Sequence, residues 1–240
     1  MVSISKTAWC IGLTGRFSLK HDFFGYTSIG VPSVFSQLRL LQGPHIHLNL
    51  IKVGSELFDA NDEFYADYAL AFMRRSYATV GIGVGRVEHY SIPIAQAEGH
   101  EQIDSDSEAE TLISRFIVNN DGIDLFVVRS YVGGHAGSSP ISGTCNKNDK
   151  GMKGCVAAPT ENLLGFGHEV GHYLGLEHSD RSDNLMNPTP SELKLDDDTN
   201  IADPDQPVGG SGQPDPGPGR RLTQGEVMKR HCAIRAACLT

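Results

Sequence analysis

A chain of 240 residues, 39% hydrophobic and 20% charged, has an ordinary composition for a soluble globular protein. It suits one domain with a substantial core, with or without appendages. Its formal net charge of −9 argues against general nucleic-acid binding, which shows a basic patch. No apolar run approaches the roughly 20 residues of a membrane span. Met1 to Leu13, with one lysine and the short patch Ala8-Trp9-Cys10-Ile11, is too weak for a clear signal peptide.

Residues 1–42 show no motif and read as an N-terminal extension of unknown role, and residues 43–240 read as one domain. His45 to Val53 alternates, with Ile46, Leu48 and Leu50 facing one way, and predicts a strand. Asp59 to Tyr77 predicts a helix with Phe64, Tyr68, Ala71, Phe72 and Arg75 at helical spacing. A glycine-rich strand follows around Thr79 to His89, then a helix near Ser107 to Val118 carrying Leu112, Ile113, Phe116 and Ile117. Ile123 to Val132 is strongly β-prone and predicts a central buried strand. This alternation implies an α/β (α+β) fold with a mostly parallel twisted sheet and right-handed crossovers. Gly133 to Gly143 predicts a loop leading to, or forming, an antiparallel edge strand. A lone loop histidine such as His135 reads as solvated rather than as a ligand.

The most informative stretch is His168-Glu169-Val170-Gly171-His172-Tyr173-Leu174-Gly175-Leu176-Glu177-His178, which spells H-E-x-x-H-x-x-G-x-x-H. Residues four apart share a helix face, so His168 and His172 can reach one ion, while Glu169 lies about 100° round from His168. Leu163, Phe166, Val170, Tyr173 and Leu174 fall on the opposite, apolar side. Thr160 is the expected N-cap, and Gly175 is the expected stop that lets the chain turn and bring His178 to the metal. Three mid-helix glycines, Gly165, Gly167 and Gly171, each cost about 1 kcal/mol relative to alanine, and close approach of other backbone or of substrate would explain them. Three imidazoles and an open fourth position describe a catalytic zinc site rather than a closed structural one. Glu169, which is not a ligand in this reading, is the candidate general base for a zinc-bound water whose pKa is lowered towards about 7.

Downstream, Asp196-Asp197-Asp198 and the Pro/Gly-rich run to Gly219 make residues 196–219 a flexible acidic insertion. Its glycine and proline density favours disorder over calcium binding by the aspartates. Thr223 then reads as the N-cap of a final helix through about Arg235. Five cysteines give an odd count. Cys145 and Cys155 could close the polar loop between them. If a helix runs through both, Cys232 and Cys238 stand about 9 Å apart, too far to bond. One of these two could instead pair with Cys145 or Cys10.

The histidine motif, followed by Asn184-Leu185-Met186-Asn187-Pro188, resembles the metzincin zinc metallopeptidases, whose signature adds a methionine turn to H-E-x-x-H-x-x-G-x-x-H. Ser179 directly after the third histidine and the spacing from His178 to Met186 resemble the matrixins, and the element order of the N-terminal half resembles an adamalysin-like domain. Pro188 stands where astacin- and serralysin-like members carry a tyrosine, and nothing around Cys10 resembles a cysteine-switch segment. The resemblance implies one catalytic Zn2+ held by His168, His172 and His178, with Met186 beneath it. It implies that residues 43–240 form a metallopeptidase catalytic domain with a small C-terminal subdomain ending in a helix. It also implies an extended peptide or protein substrate added to the edge strand near Ala136 to Ile141, and a secreted protein. The expected activity is zinc-dependent endopeptidase hydrolysis through a metal-bound water activated by Glu169. Two alternatives stand beside it: a catalytically inactive metzincin-like binding module, and a zinc hydrolase acting on other bonds. The intact Glu169 weighs against the first and the methionine turn against the second.

Overall fold

The computed structural model describes residues 43–132, 136–149, 152–181, 184–188 and 222–236. Expectations placed on residues 1–42, His135, residues 196–219, Cys10 and Cys238 lie outside the described residues.

Strand β1 (His45–Val53) leads through a short 3-10 turn to helix α1 (Ala60–Thr79), then to β2 (Gly83–Ile92) and the one-turn helix α2 (Ile94–Ala97). Next come β3 (Gln102–Ile103), helix α3 (Asp106–Arg115), β4 (Ile123–Val127), β5 (Ser130–Tyr131), β6 (Gly137–Ser138) and β7 (Gly154–Ala157). Helices α4 (Gly165–Tyr173) and α5 (Gln224–Arg230) complete the order. The main sheet runs β2-β1-β4-β7-β6, with parallel pairing everywhere except the β6–β7 edge, while β3 and β5 form a small parallel pair. The fold is therefore α/β with a mostly parallel sheet and one antiparallel edge strand, as the element order implied.

Each face of the sheet carries its own core. Ile46, Leu48 and Leu50 of β1 pack with Leu70, Met73 and Tyr77 of α1 and with Phe166, Val170 and Tyr173 of α4. Leu222, Val227 and Met228 join that same cluster from α5 and its approach. On the other face Ile51 and Val53 meet Leu112 and Ile113 of α3. All of β1 is buried except Lys52, which is half-buried. Its alternation therefore distinguishes two cores rather than a core from solvent.

Local chemistry sets several boundaries differently from the sequence reading. Asp59 is the N-cap of α1, its carboxylate accepting from Asn61 and Asp62 N–H, and Asp62 reciprocates to the Asp59 N–H. The buried apolar residues of α1 are Ala66, Ala69, Leu70, Met73, Tyr77 and the expected Phe72, while Phe64 lies outward beside Tyr65 and Tyr68. Residue Thr79 ends α1 instead of opening a strand, and Gly81 turns the chain with φ 69°. The run Ile123 to Val132 divides into β4 and β5, and they belong to different sheets. Thr223 caps α5 as expected, in a reciprocal pairing with Glu226, but that helix stops at Arg230.

Two long-range ties close the domain. Cys145 is bonded to Cys232, and Cys155 is a free, buried thiol on β7, so the loop between Cys145 and Cys155 is not closed on itself. Cys155 cannot reach Cys145 because its sulfur points into the core, 3.6 Å from the Glu169 carbonyl oxygen. The second tie joins the start of the domain to its end: His45 N–H donates to Arg235 O at 3.1 Å and Arg235 N–H to His45 O at 2.7 Å. The loop between β6 and β7 is anchored by Lys147, whose ammonium lies 2.8 Å from the wholly buried Asp124. Asp124 also accepts from Asn49 at 2.6 Å and from the Val118 N–H at 3.2 Å. Burial raises the Asp124 pKa, against the Lys147 charge and these hydrogen bonds.

Candidate metal centre

Helix α4 is nine residues long and begins after Leu164, not at Thr160. The Thr160 hydroxyl instead donates to Arg129 O at 3.1 Å, and no side chain caps the helix. Every residue of α4 is buried, which explains why an apolar, glycine-containing segment of this length is helical at all: tertiary packing holds it. Tyr77 contributes directly, its hydroxyl donating to Gly167 O at 2.9 Å.

The glycines of α4 answer to the segment Asn184 to Pro188. A Cβ on Gly171 would lie 2.6 Å from Met186 Sδ, and one on Gly167 would lie 3.2 Å from a Leu185 methyl. The close approach expected at these positions is thus made by side chains of the methionine turn. Backbone approaches two of them as well: a Cβ on Gly167 would lie 3.6 Å from Met73 Cα, and one on Gly165 3.8 Å from the Ala136 carbonyl oxygen. The turn itself is held by Asn184, whose side-chain oxygen accepts from Met186 N–H at 2.8 Å and whose amide donates to Gln224 of α5 at 2.9 Å. Ser179 N–H donates to Met186 O at 2.9 Å and closes the loop that carries His178.

Gly175 ends the helix with φ 98°. Its N–H bonds His172 O at 2.8 Å and the Leu176 N–H bonds Gly171 O at 3.0 Å, a paired C-terminal closure that reverses the chain. That closure also orients His172, because Leu176 O accepts from His172 Nδ1 at 2.7 Å. His168 Nδ1 likewise donates to Leu185 O at 2.8 Å. A neutral imidazole that donates from Nδ1 has its lone pair on Nε2. The Nε2 atoms of His168 and His172 stand 3.1 Å apart, so two lone pairs face each other and no hydrogen bond relieves them. Burial drives both groups to the neutral form, lowering His168 to about 4 and His172 to about 3. His178 comes from beyond the helix, its ring 5.3 Å from that of His168 and 4.7 Å from that of His172. One ligand atom from each of the three lies within 4.8 Å of the others. A divalent cation accepting all three lone pairs removes the repulsion between them, and the carbonyl-held Nδ1 atoms are the usual outer partners of histidine ligands. The residues present therefore fit a zinc ion.

Glu169 is buried beside this group, and no hydrogen-bond partner to its carboxylate occurs among the described residues. Burial raises its pKa to about 8, with the charge of Asp106 adding to the effect. Its room is made by the edge strand, since a Cβ on Gly137 would lie 2.7 Å from Glu169 Oε1 and 2.5 Å from Val156 O. Asp106, at the start of α3, accepts from the Tyr131 hydroxyl at 2.7 Å. The three histidines expected from sequence thus come together, and Glu169 follows His168 on the same buried helix. The contributions of Gly137, Asp106 and the Leu176 and Leu185 carbonyls were not read beforehand, and only the glycine-rich run around Gly137 signalled an unusual approach.

A family model described as Matrixin matches residues 54–206. The chain belongs to the matrixin family, and its domain has the metzincin fold of a zinc metallopeptidase-type hydrolase. No curated protein matches it in sequence. Among solved structures, metalloproteinase-II from Bacteroides fragilis is 15% identical with a TM-score of 0.46, over 62% of this chain and 47% of that one. The chain thus spans about half the length of that protein. Archaemetzincin from Methanopyrus kandleri is 16% identical with a TM-score of 0.42, over 65% of this chain and 88% of that one. A chain in the structure of a chaperone-substrate complex is 15% identical with a TM-score of 0.38, over 59% and 25% of the two lengths.

Proposed function

We propose that this protein is a zinc-dependent endopeptidase in which His168, His172 and His178 hold the metal and Glu169 is the general acid–base. The observation that carries this reading is the pair of Nε2 atoms 3.1 Å apart with a third imidazole beside them, on a helix that also carries the buried Glu169. A zinc ion held there supplies Lewis acidity toward a substrate carbonyl and lowers the pKa of water. Glu169 accepts the proton of the attacking water at its carboxylate and returns it to the leaving amine. Leu176 O and Leu185 O keep the imidazoles in the tautomer that presents Nε2. The substrate lies extended along the free side of β6, its backbone pairing with the edge and its side chains alternating. In the same reading residues 43–240 are the catalytic domain, residues 1–42 an extension and residues 196–219 an acidic insertion, and the protein acts outside the cell.

The test is Glu169→Gln, which keeps the size of the side chain and removes its basicity. Metal content should stay at one equivalent while peptide cleavage falls by about 10²–10⁴. Unchanged turnover would remove Glu169 from the reaction. A metal-loaded wild type that cleaves nothing in a diverse peptide library would instead favour the inactive binding module.

A further inference from the structure

We propose that Tyr131 is a positioning residue for the substrate-bearing edge, seating β6 from the face of the sheet opposite α4. The proposal rests on the endopeptidase reading for what β6 carries. Strand β6 is only Gly137 and Ser138, paired with Ala157 and Val156 of β7. It is shorter than the usual strand, so its own ladder fixes it weakly and side chains must hold it. Residues opposite one another in an antiparallel pair project to the same side, and successive residues to opposite sides. Gly137 therefore shares a face with Ala157 and meets Glu169. Ser138 shares the other face with Val156, whose apolar cluster includes Tyr131, Leu112 and Ile113. There Ser138 hydrogen-bonds the Tyr131 phenol, which opposes the rise that burial and Asp106 give the Tyr131 pKa.

Tyr131 can serve as a seat because it is itself fixed on several sides. Its side chain is buried, and its hydroxyl donates to the Asp106 carboxylate at 2.7 Å. Asp106 opens α3, whose Ala109, Leu112 and Ile113 are buried in the same cluster as Tyr131. The Tyr131 N–H donates to both carboxylate oxygens of Glu161, at 3.2 Å each, on the approach to α4. Strand β3 holds the next residue, Val132 N–H donating to Ile103 O at 2.7 Å. A line of hydrogen bonds thus runs from a packed helix through Asp106 and Tyr131 to Ser138. It sets the height at which β6 offers its free side to an extended peptide, while Gly137 leaves Glu169 its room. Losing that seat removes binding that substrate and transition state share, so KM rises and kcat does not fall.

The variant is Tyr131→Phe in the full, zinc-loaded chain. It keeps the ring, and the exposed Asp106 takes water in place of the lost hydroxyl, so the fold survives. Hydrogen exchange reads the seat without any turnover. The Ala158 N–H, which donates to Ala136 O just before β6, should exchange about tenfold faster, while the amides of β4 keep their wild-type rates. An unchanged Ala158 rate would overturn the proposal whether or not the protein is a peptidase. Kinetics read the consequence. For a peptide long enough to lie along β6, KM should rise about tenfold with kcat unchanged. A blocked dipeptide that spans only the scissile bond should be cleaved equally well by variant and wild type. A loss shared equally by both substrates would mark a general structural role and overturn the positioning role. Ser138→Ala should reproduce the exchange and KM effects, and the double variant should exceed neither single one. Effects that add in full would show the two side chains acting separately and would also overturn it. A wild type that cleaves neither peptide would refute the endopeptidase reading, and the exchange rates would still decide the seat.

Discussion

Two pairs of buried histidines, one on α4 and one on β1, look alike by burial. His168 and His172 lie on α4, and His45 and His47 lie on β1 with rings 5.1 Å apart. Burial lowers both His168 and His47 to about 4. A glycine also stands against a side chain in each region: a Cβ on Gly85 would lie 2.9 Å from His47 Nδ1, and one on Gly137 would collide with Glu169, next to His168 on α4. The difference is in what the lone pairs meet. His47 Nδ1 accepts from the Arg86 N–H at 3.0 Å and its Nε2 faces Asp121 at 4.0 Å. Among the described residues, the lone pairs of His168 and His172 meet each other and the ring of His178. Burial therefore marks both pairs, and the direction of the unprotonated nitrogen tells a packed histidine from one that can hold a metal.

The comparison breaks most sharply on metal affinity. His172→Ala should weaken zinc binding by more than the 10–100-fold typical of losing an outer partner of a ligand. His47→Asn should leave it unchanged by isothermal titration. A loss of zinc in the His47 variant, or none in the His172 variant, would reverse the assignment of the two pairs.

The glycines give the next test. Gly137→Ala forces the Glu169 carboxylate to move, and a displacement of about 1 Å from a reacting geometry costs about 100-fold in rate. Peptide turnover should fall by that order with zinc content unchanged. Gly85→Ala should lower stability by about 1–3 kcal/mol through overpacking against His47 and leave turnover per folded molecule intact. Equal effects of the two substitutions on turnover would mean that Gly137 does nothing specific for Glu169.

The smallest effect is acid lability. His47 has its pKa lowered by burial first, then by the Arg86, His45 and Arg235 charges, with Asp121 opposing. Between about 6.5 and 4 the unfolded chain binds a proton that the folded chain refuses. The stability this group contributes is complete above 6.5 and is lost as pH falls towards 4, by about 2 kcal/mol between pH 7 and pH 5. Urea melts at those two values should show His47→Asn flattening the slope by that amount. A slope identical to wild type would mean that His47 is already protonated in the fold.

The centre was legible in sequence because its geometry is local. Helix periodicity puts His168, Glu169 and His172 within one turn of each other, and Gly175 takes the φ that only glycine adopts easily, so His178 follows within six residues. The parallel sheet was legible from alternating strands and helices. What was missed depends on distant partners. Thr160 has the chemistry of an N-cap, but the Arg129 carbonyl takes its hydroxyl. Phe64 and Tyr68 have the spacing of a core stripe, yet the small Ala66 and Ala69 are the buried ones, in the cluster that α1 shares with α4. Strand β7 has four residues between loop segments and shows no alternation. The pairing of Cys145 with Cys232 spans 87 residues, so it stood in the sequence only as one alternative among several.

The backbone ladder between His45 and Arg235 has a consequence for how such a chain is made. Synthesis delivers β1 first and Arg235 near the end of the domain, yet the opening residue of β1 hydrogen-bonds to that late segment in both directions. The apolar face of β1 likewise shares its cluster with Leu222, Val227 and Met228. A nascent chain lacking residues 222–235 therefore holds a first strand whose outer end is paired only to β2 and whose core is short of Leu222, Val227, Met228 and Ala233. Folding on the ribosome should be withheld until the domain has emerged whole, and should then proceed as one cooperative event rather than strand by strand.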